Sequence, residues 1–209
     1  MSSLVRYAYY ALVLLGLVIV VYRWAKLDRS LRWLLPLYIG VTGAEASYYF
    51  FGILYPYHIY SIVECVSLCM LYYSIFASRI NKIMALTGLV VYVVFFVYHY
   101  FIVDTGNFWM YRAKDFFVQD IIIAVLSVLY LLDLYKHSEP VNFKTNPYFW
   151  ITVANLFFYS GTAIEDGIVD YYYNRYPVLY EHVANISRYL NLLLYLLYIK
   201  ALLCPMQKK

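Results

Sequence analysis

Three ionisable residues lie deep inside long apolar stretches of this 209-residue chain. They are Glu45, Glu64 and Arg188, within the stretches 34–53, 58–76 and 178–203. A charge at the centre of a bilayer costs about 3 kcal/mol on insertion scales, so such residues usually face a helix-bundle interior and mark a functional site. Two acids and one guanidinium in such surroundings predict a buried ionic site.

The three residues are predicted to meet at one level of the bundle. Counted along helices, their depth below the outer surface is roughly 9 Å for Glu64, 12 Å for Glu45 and 13 Å for Arg188. We expect Arg188 to pair with Glu64, Glu45 or both, because a guanidinium keeps its proton and is costly to bury unpaired. Such a cluster could hold the helices together, recognise a ligand, or handle protons or ions. The sequence does not distinguish among these three roles.

Other apolar stretches contribute polar residues at helical spacing, so that each stretch has one polar stripe. We predict that these stripes line a shared polar interior. The predicted ligand-binding residues are Glu45, Glu64, His99, Asp120, Asn155, Tyr159, Asn185 and Arg188.

The composition predicts the scaffold that positions these residues. The chain is 65% hydrophobic and 13% charged, whereas soluble domains carry about 25% charged residues. We therefore predict an all-α, polytopic membrane protein: a single transmembrane domain over residues 1–209, with no separate soluble domain. Its seven predicted spans are 4–22, 33–53, 58–76, 83–103, 115–135, 147–165 and 178–203.

The basic residues between the spans predict the orientation. One side of the predicted bundle holds about eleven lysines and arginines and the other side about four. The positive-inside rule then places the N-terminus outside and the C-terminus in the cytoplasm. We predict a multi-pass protein of the bacterial inner membrane, with the first span kept as an anchor.

The 28 tyrosines exceed what an interfacial belt requires, and they crowd the outer half of the predicted bundle. Tyrosines at headgroup depth anchor helices in a membrane. In the alternative interpretation they line an outward-facing vestibule, where their hydroxyl groups bond to a ligand or to the buried carboxylates.

Several chemistries lack the motif that they require. The histidines 58, 99 and 182 have no metal-ligand spacing between them, and Walker, hydrolase-elbow and dinucleotide patterns are absent. No lysine lies near the middle of the last span, which argues against a retinal photoreceptor. Basic residues are not interleaved with stacking aromatics, so we expect no nucleic-acid partner, and we expect no metal and no cofactor.

Two segments resemble small seven-helix inner-membrane proteins of Bacteroidota, some of which are encoded near signalling proteins. The segments are Tyr57–Glu64 and Asn146–Ile151, the second continuing to Phe158–Thr162. His58 departs from the pattern, in which an asparagine is expected. The resemblance implies that Glu64 belongs to a site shared by these proteins.

These observations favour a receptor-like or sensory membrane protein over an enzyme. It would bind a small ligand from the outer side and be read by a signalling partner at the basic cytoplasmic loops, with the lipid bilayer as its surroundings. A small-molecule or proton-coupled transporter, a membrane-embedded enzyme and a non-catalytic membrane subunit are the alternatives. Transport is less favoured because the chain lacks internal repeats and paired helix breaks.

Overall fold

In a computed structural model the protein is all-helical. The structure describes residues 3–53, 55–103, 113–136, 142–175 and 177–205, and it describes the backbone alone for residues 3, 55, 103, 113, 114, 168–175 and 177–184. The described residues form seven α-helices: α1 Ser3–Arg23, α2 Leu34–Phe51, α3 Tyr55–Ile75, α4 Arg79–Tyr98, α5 Ala113–Lys136, α6 Pro147–Arg175 and α7 Pro177–Leu203. Two single-turn 3-10 helices, Trp24–Lys26 and Leu31–Trp33, lie between α1 and α2, and a π-helical turn, His99–Val103, continues α4.

Five of these helices are long and apolar enough to cross a membrane. The qualifying segments are Leu4–Lys26, Pro56–Ile75, Arg79–Ile102, Asp115–Lys136 and Asn185–Leu203. The prediction of a helical membrane protein is confirmed at this level. Helices α2 and α6 fall outside this set and carry many tyrosine, glycine, serine and threonine residues. The predicted count of seven spans therefore stays a prediction.

Local signals in the sequence account for the start of α6 and the end of α2. Asn146 caps α6, because its Oδ1 accepts hydrogen bonds from the backbone N–H groups of Tyr148 and Phe149 at 3.0 and 3.3 Å. Gly52 ends α2 with a φ of 65°, a left-handed conformation that glycine adopts without a steric penalty. The sixth predicted span ends at Glu165, whereas helix α6 continues to Arg175. Apolarity stops at Glu165, but backbone hydrogen bonding does not require apolar side chains.

The helices form a closed ring in chain order, because each contacts the next and α1 contacts α7. Helix α3 also contacts α5 across the ring, so that α4 lies at the periphery. The most hydrophobic windows of α1 and α4 are accordingly only 17% and 11% buried, against 56% for α3. Their exposed side chains are mostly large and apolar, as expected of helices that face lipid.

Gly16 lets α1 approach α2 closely, and replacing it is expected to destabilise the bundle. A Cβ atom at Gly16 would overlap the ring of Tyr38, which is fully buried and packs against the rings of Tyr195 and Tyr198. We expect Gly16→Ala to lower the free energy of unfolding by about 1–2 kcal/mol, because an overpacked core must shift rigid groups. Thermal unfolding of the purified protein in detergent measures the effect.

Gly43 on α2 provides the matched control for this substitution. A Cβ atom there meets nothing within 4 Å. Gly43→Ala should leave the stability unchanged or raise it, since alanine favours a helix over glycine by up to about 1 kcal/mol. Equal unfolding midpoints for the two variants would contradict the role assigned to Gly16.

Candidate functional site

A polar cavity of about 210 Å³ opens at the end of the bundle where α1, α3 and α5 begin. Every α-helix except α4 contributes to its wall. Five of the lining residues are acids, five are tyrosines, and three carry other hydroxyl or amide groups. In that order they are Glu45, Glu64, Asp120, Glu165 and Asp166; Tyr9, Tyr57, Tyr60, Tyr159 and Tyr195; and Thr162, Ser187 and Asn191.

The cavity brings together four of the eight residues that the sequence predicts for ligand binding. Glu45, Glu64, Asp120 and Tyr159 all line it. They come from α2, α3, α5 and α6, so the site exists only when these four helices are packed.

Glu64 on α3 is held by two neutral side chains. Tyr60 Oη donates a hydrogen bond to its Oε1 and Gln119 Nε2 donates one to its Oε2, both at 2.6 Å. Tyr60 lies one helical turn before Glu64, whereas Gln119 reaches it from α5. Among the described residues the carboxyl group is therefore held by hydrogen bonds and not by an ion pair.

Asp120 on α5 is buried but incompletely bonded. It is only 4% exposed, and its Oδ2 has no hydrogen-bond partner among the described residues. The adjacent Thr162 hydroxyl donates to the Phe158 carbonyl oxygen at 2.9 Å. A buried carboxylate oxygen without a donor is costly, so this atom is a suitable acceptor for a bound group.

Tyr159 on α6 has a hydroxyl group in a similar state. The side chain is 1% exposed, and Oη lies beside the Glu64 carboxyl group without forming a hydrogen bond of normal geometry. Asp120 and Tyr159 therefore place two buried polar atoms with unused bonding capacity in one cavity wall.

Glu45 on α2 separates the polar cavity from an apolar groove. Tyr9 Oη donates to Glu45 Oε1 at 2.9 Å, and Tyr57 lies close to the same carboxyl group. The groove, of about 380 Å³, runs between α1 and α2 and has an almost wholly apolar wall that includes Val13 and Leu14. Tyr9 with Glu45, and Tyr60 with Glu64, confirm the expectation that tyrosine hydroxyls bond to the buried carboxylates.

Arg188 does not pair with Glu45 or Glu64, so the predicted ion pair is wrong. Its Nη1 donates to Asn185 Oδ1 at 2.7 Å, and its charge acts on Glu165. The α7 residues that line the cavity are Ser187, Asn191 and Tyr195. On the helical wheel Arg188 lies within about 20° of Tyr195 and about 60° of Asn191, so it is at the edge of the cavity-facing side of α7, and its side chain extends to Asn185 instead. Asn185 lies beside Arg188 and is likewise off the wall.

Asn155 belongs to a separate buried network that ties four helices together. Tyr198 Oη donates to Asn155 Oδ1, and Asn155 Nδ2 donates to Tyr72 Oη at 3.0 Å. Tyr72 Oη and Ser127 Oγ are 2.7 Å apart, and Ser127 donates to the Ile123 carbonyl oxygen at 2.8 Å. The chain of donors runs from α7 through α6 and α3 to α5, with Asn155 fully buried in its middle. It is a structural tie rather than part of the cavity wall.

His99 also lies away from the cavity. Its Nδ1 is 3.5 Å from Asp115 Oδ1, and its ring stacks on Phe95 with a centroid separation of 5.7 Å. The contact joins the π-helical turn after α4 to the first turn of α5. His99 thus fastens the peripheral helix to the ring.

The predicted set of ligand-binding residues leaves out four polar residues at the site. Gln119 bonds to Glu64, and Glu165, Asp166 and Ser187 line the cavity. Glu165 and Asp166 follow Thr162 by three and four residues, the spacing that keeps residues on one helix face. The polar stripe predicted for the sixth stretch already includes Thr162 and Asp166, so this signal was present in the sequence.

The chain was compared with known proteins in three ways. Comparisons with protein-family models, with curated proteins and with solved structures each found no match. The resemblance to seven-helix membrane proteins of Bacteroidota therefore stays a prediction.

Proposed function

We propose that this protein is a receptor-like, multi-pass membrane protein that binds a small ligand in the polar cavity. The supporting observation is the cavity wall itself, where the buried atoms Asp120 Oδ2 and Tyr159 Oη have no hydrogen-bond partner among the described residues. Buried polar groups normally have partners, and in a cavity wall a bound molecule or water can supply the missing ones. In the Asn155 network of the same bundle, by contrast, the polar side chains bond to one another, as expected of a purely structural network.

The proposed orientation places the cavity at the outer surface of a bacterial inner membrane. The opposite end of the bundle exposes the basic residues Lys26, Arg29, Arg79, Lys136 and Lys144. Under the positive-inside rule this end faces the cytoplasm. A signalling partner would contact these basic loops and read a change in helix packing when the ligand binds.

Binding is favoured over transport by the continuity of the helices around the cavity. Carriers commonly unwind a helix at the substrate site. In the described part of the chain, α2, α3, α5, α6 and α7 run unbroken past the residues that line the cavity. The wall is therefore built from rigid elements.

Cysteine labelling tests whether the cavity is open to the outer side. In a Cys204→Ser background, Ser187→Cys places a thiol in the cavity wall, while the native Cys65 and Cys69 are buried. We expect a membrane-impermeant thiol reagent to modify Ser187→Cys in bacterial spheroplasts, because the cavity opens outward in the proposed orientation.

Ser67→Cys is the matched control, since Ser67 is buried on α3 and does not line the cavity. It should react only after denaturation. Modification of Ser187→Cys in inverted vesicles alone would reverse the orientation. A thiol at 187 that reacts in neither preparation would overturn the proposed function, because no ligand could reach the site from water.

A further inference from the structure

We infer that the ligand is a small organic molecule that carries a protonated amine. This inference rests on the proposed function of the cavity. The wall contains five acidic side chains and, among the described residues, no lysine, arginine or histidine. Arg188 and Arg6 act on Glu165 and Glu45 respectively, but neither lines the cavity. The cavity therefore favours a positively charged occupant.

Asp120 shares the cavity wall with the four other acids. Glu64, Glu165 and Asp166 all act electrostatically on the Asp120 carboxyl group. Carboxylates that share a site disfavour one another's charge, and an opposite charge within about 4–6 Å relieves this. A bound ammonium group at Asp120 would offset several of these charges at once, whereas an anion would add to the repulsion.

The wall atoms that lack a hydrogen-bond partner among the described residues can accept hydrogen bonds, so a bound molecule should supply donors. Asp120 Oδ2 accepts no hydrogen bond from the described residues, and the Tyr159 hydroxyl can also act as an acceptor. A primary ammonium group offers three donors and no acceptor. It therefore supplies enough donors for both Asp120 and Tyr159, whereas a quaternary ammonium group supplies none.

Aromatic rings complete the surroundings of the cation. Tyr9 and Tyr195 pack edge to face at 5.6 Å between centroids, and both line the cavity. Phe116 and Phe158 add two further rings to the wall. The negative face of an aromatic ring attracts an organic cation, and the same rings contact an alkyl chain.

The spacing of the acids favours an organic cation over a metal ion. Within the described ranges no group of three or more His, Cys, Asp or Glu side chains converges closely enough to hold one metal. Glu64 already accepts two hydrogen bonds. The acids are instead spread over a cavity of about 210 Å³, which suits a molecule with separated charges.

Three probes of matched length and different charge test this inference. They are butane-1,4-diamine, butane-1,4-diol and butanedioate, each added to the purified full-length protein in detergent. We expect the diamine alone to raise the unfolding midpoint in a concentration-dependent manner. Asp120→Asn should weaken the apparent affinity for the diamine at least tenfold, because the ammonium group loses a buried charged partner. Asp133→Asn, on the same helix but off the cavity wall, should leave the affinity unchanged.

The outcomes separate this inference from the proposed function. Binding of the diol or the dioate as tightly as the diamine overturns the inference and retains a ligand-binding cavity. An equal shift with calcium chloride overturns the choice of an organic cation. If the diamine does not bind the wild-type protein, measured also by calorimetry, the inference is wrong, and the Ser187→Cys labelling decides the proposed function independently.

Discussion

Replacing Asn155 by leucine is expected to lower the free energy of unfolding by about 2–4 kcal/mol, since an unsatisfied buried polar group alone costs about 1–3 kcal/mol. The substitution removes the acceptor for Tyr198 Oη and the donor to Tyr72 Oη in the middle of the buried network. Leucine has a similar size but bonds to neither hydroxyl group. Thermal or denaturant unfolding in detergent measures the loss.

Asn191→Leu provides the same chemical change at a less buried position. Asn191 lies on α7 in the cavity wall and is half-buried. Its replacement should cost less than about 0.5 kcal/mol, as is usual for positions away from buried networks. If Asn155→Leu and Asn191→Leu unfold at the same midpoint, Asn155 does not tie the helices together.

Glu64 and Gln119 are expected to be strongly coupled in their effect on the free energy of unfolding, which exchanging the two side chains would show. Gln119→Glu places a second carboxyl group where the amide now donates to Glu64 at 2.6 Å, and like charges at that distance disfavour each other. Adding Glu64→Gln restores one amide and one carboxyl group with their roles reversed. We expect an interaction energy of about 2–3 kcal/mol, near the upper end for contacting residues.

A double-mutant cycle of unfolding midpoints measures this coupling. Glu64→Gln alone should have a small effect, because Tyr60 can still donate to the amide oxygen and Gln119 can turn its own oxygen towards the new amide. The result that would contradict the geometry is a double variant as unstable as Gln119→Glu. In that case Glu64 and Gln119 would not be partners.

The cavity was only partly predictable from the sequence. Glu45, Glu64, Asp120 and Tyr159 were identified because polar residues in apolar stretches must face a helix-bundle interior, and burial of the last three bears this out. Their approximate depth follows from the rise per residue along a helix. Asn155 and His99 share this buried, polar character, so the same reasoning could not separate them from the cavity.

The Arg188 pairing failed for a different reason. Depth along a helix is set by sequence position, but the direction in which a side chain points depends on how the helix is rotated against its neighbours. Close packing fixes that rotation in α7, where Leu190 contacts Gly161 of α6 so tightly that a Cβ atom there would overlap it. This rotation turns Ser187, Asn191 and Tyr195 to the cavity and leaves Arg188 at the edge of that face, where its side chain extends to Asn185.

By itself the sequence determined that the chain is helical, apolar enough for a membrane, and polar inside. Those properties depend on the composition of the chain and on local signals. Turn residues such as Gly52 and caps such as Asn146 act over only a few residues. Only the tertiary structure decided which polar residues form a cavity and which form a closed network. The physical reason is that Glu64 and Gln119 are 55 residues apart, and whether they meet depends on the packing of whole helices.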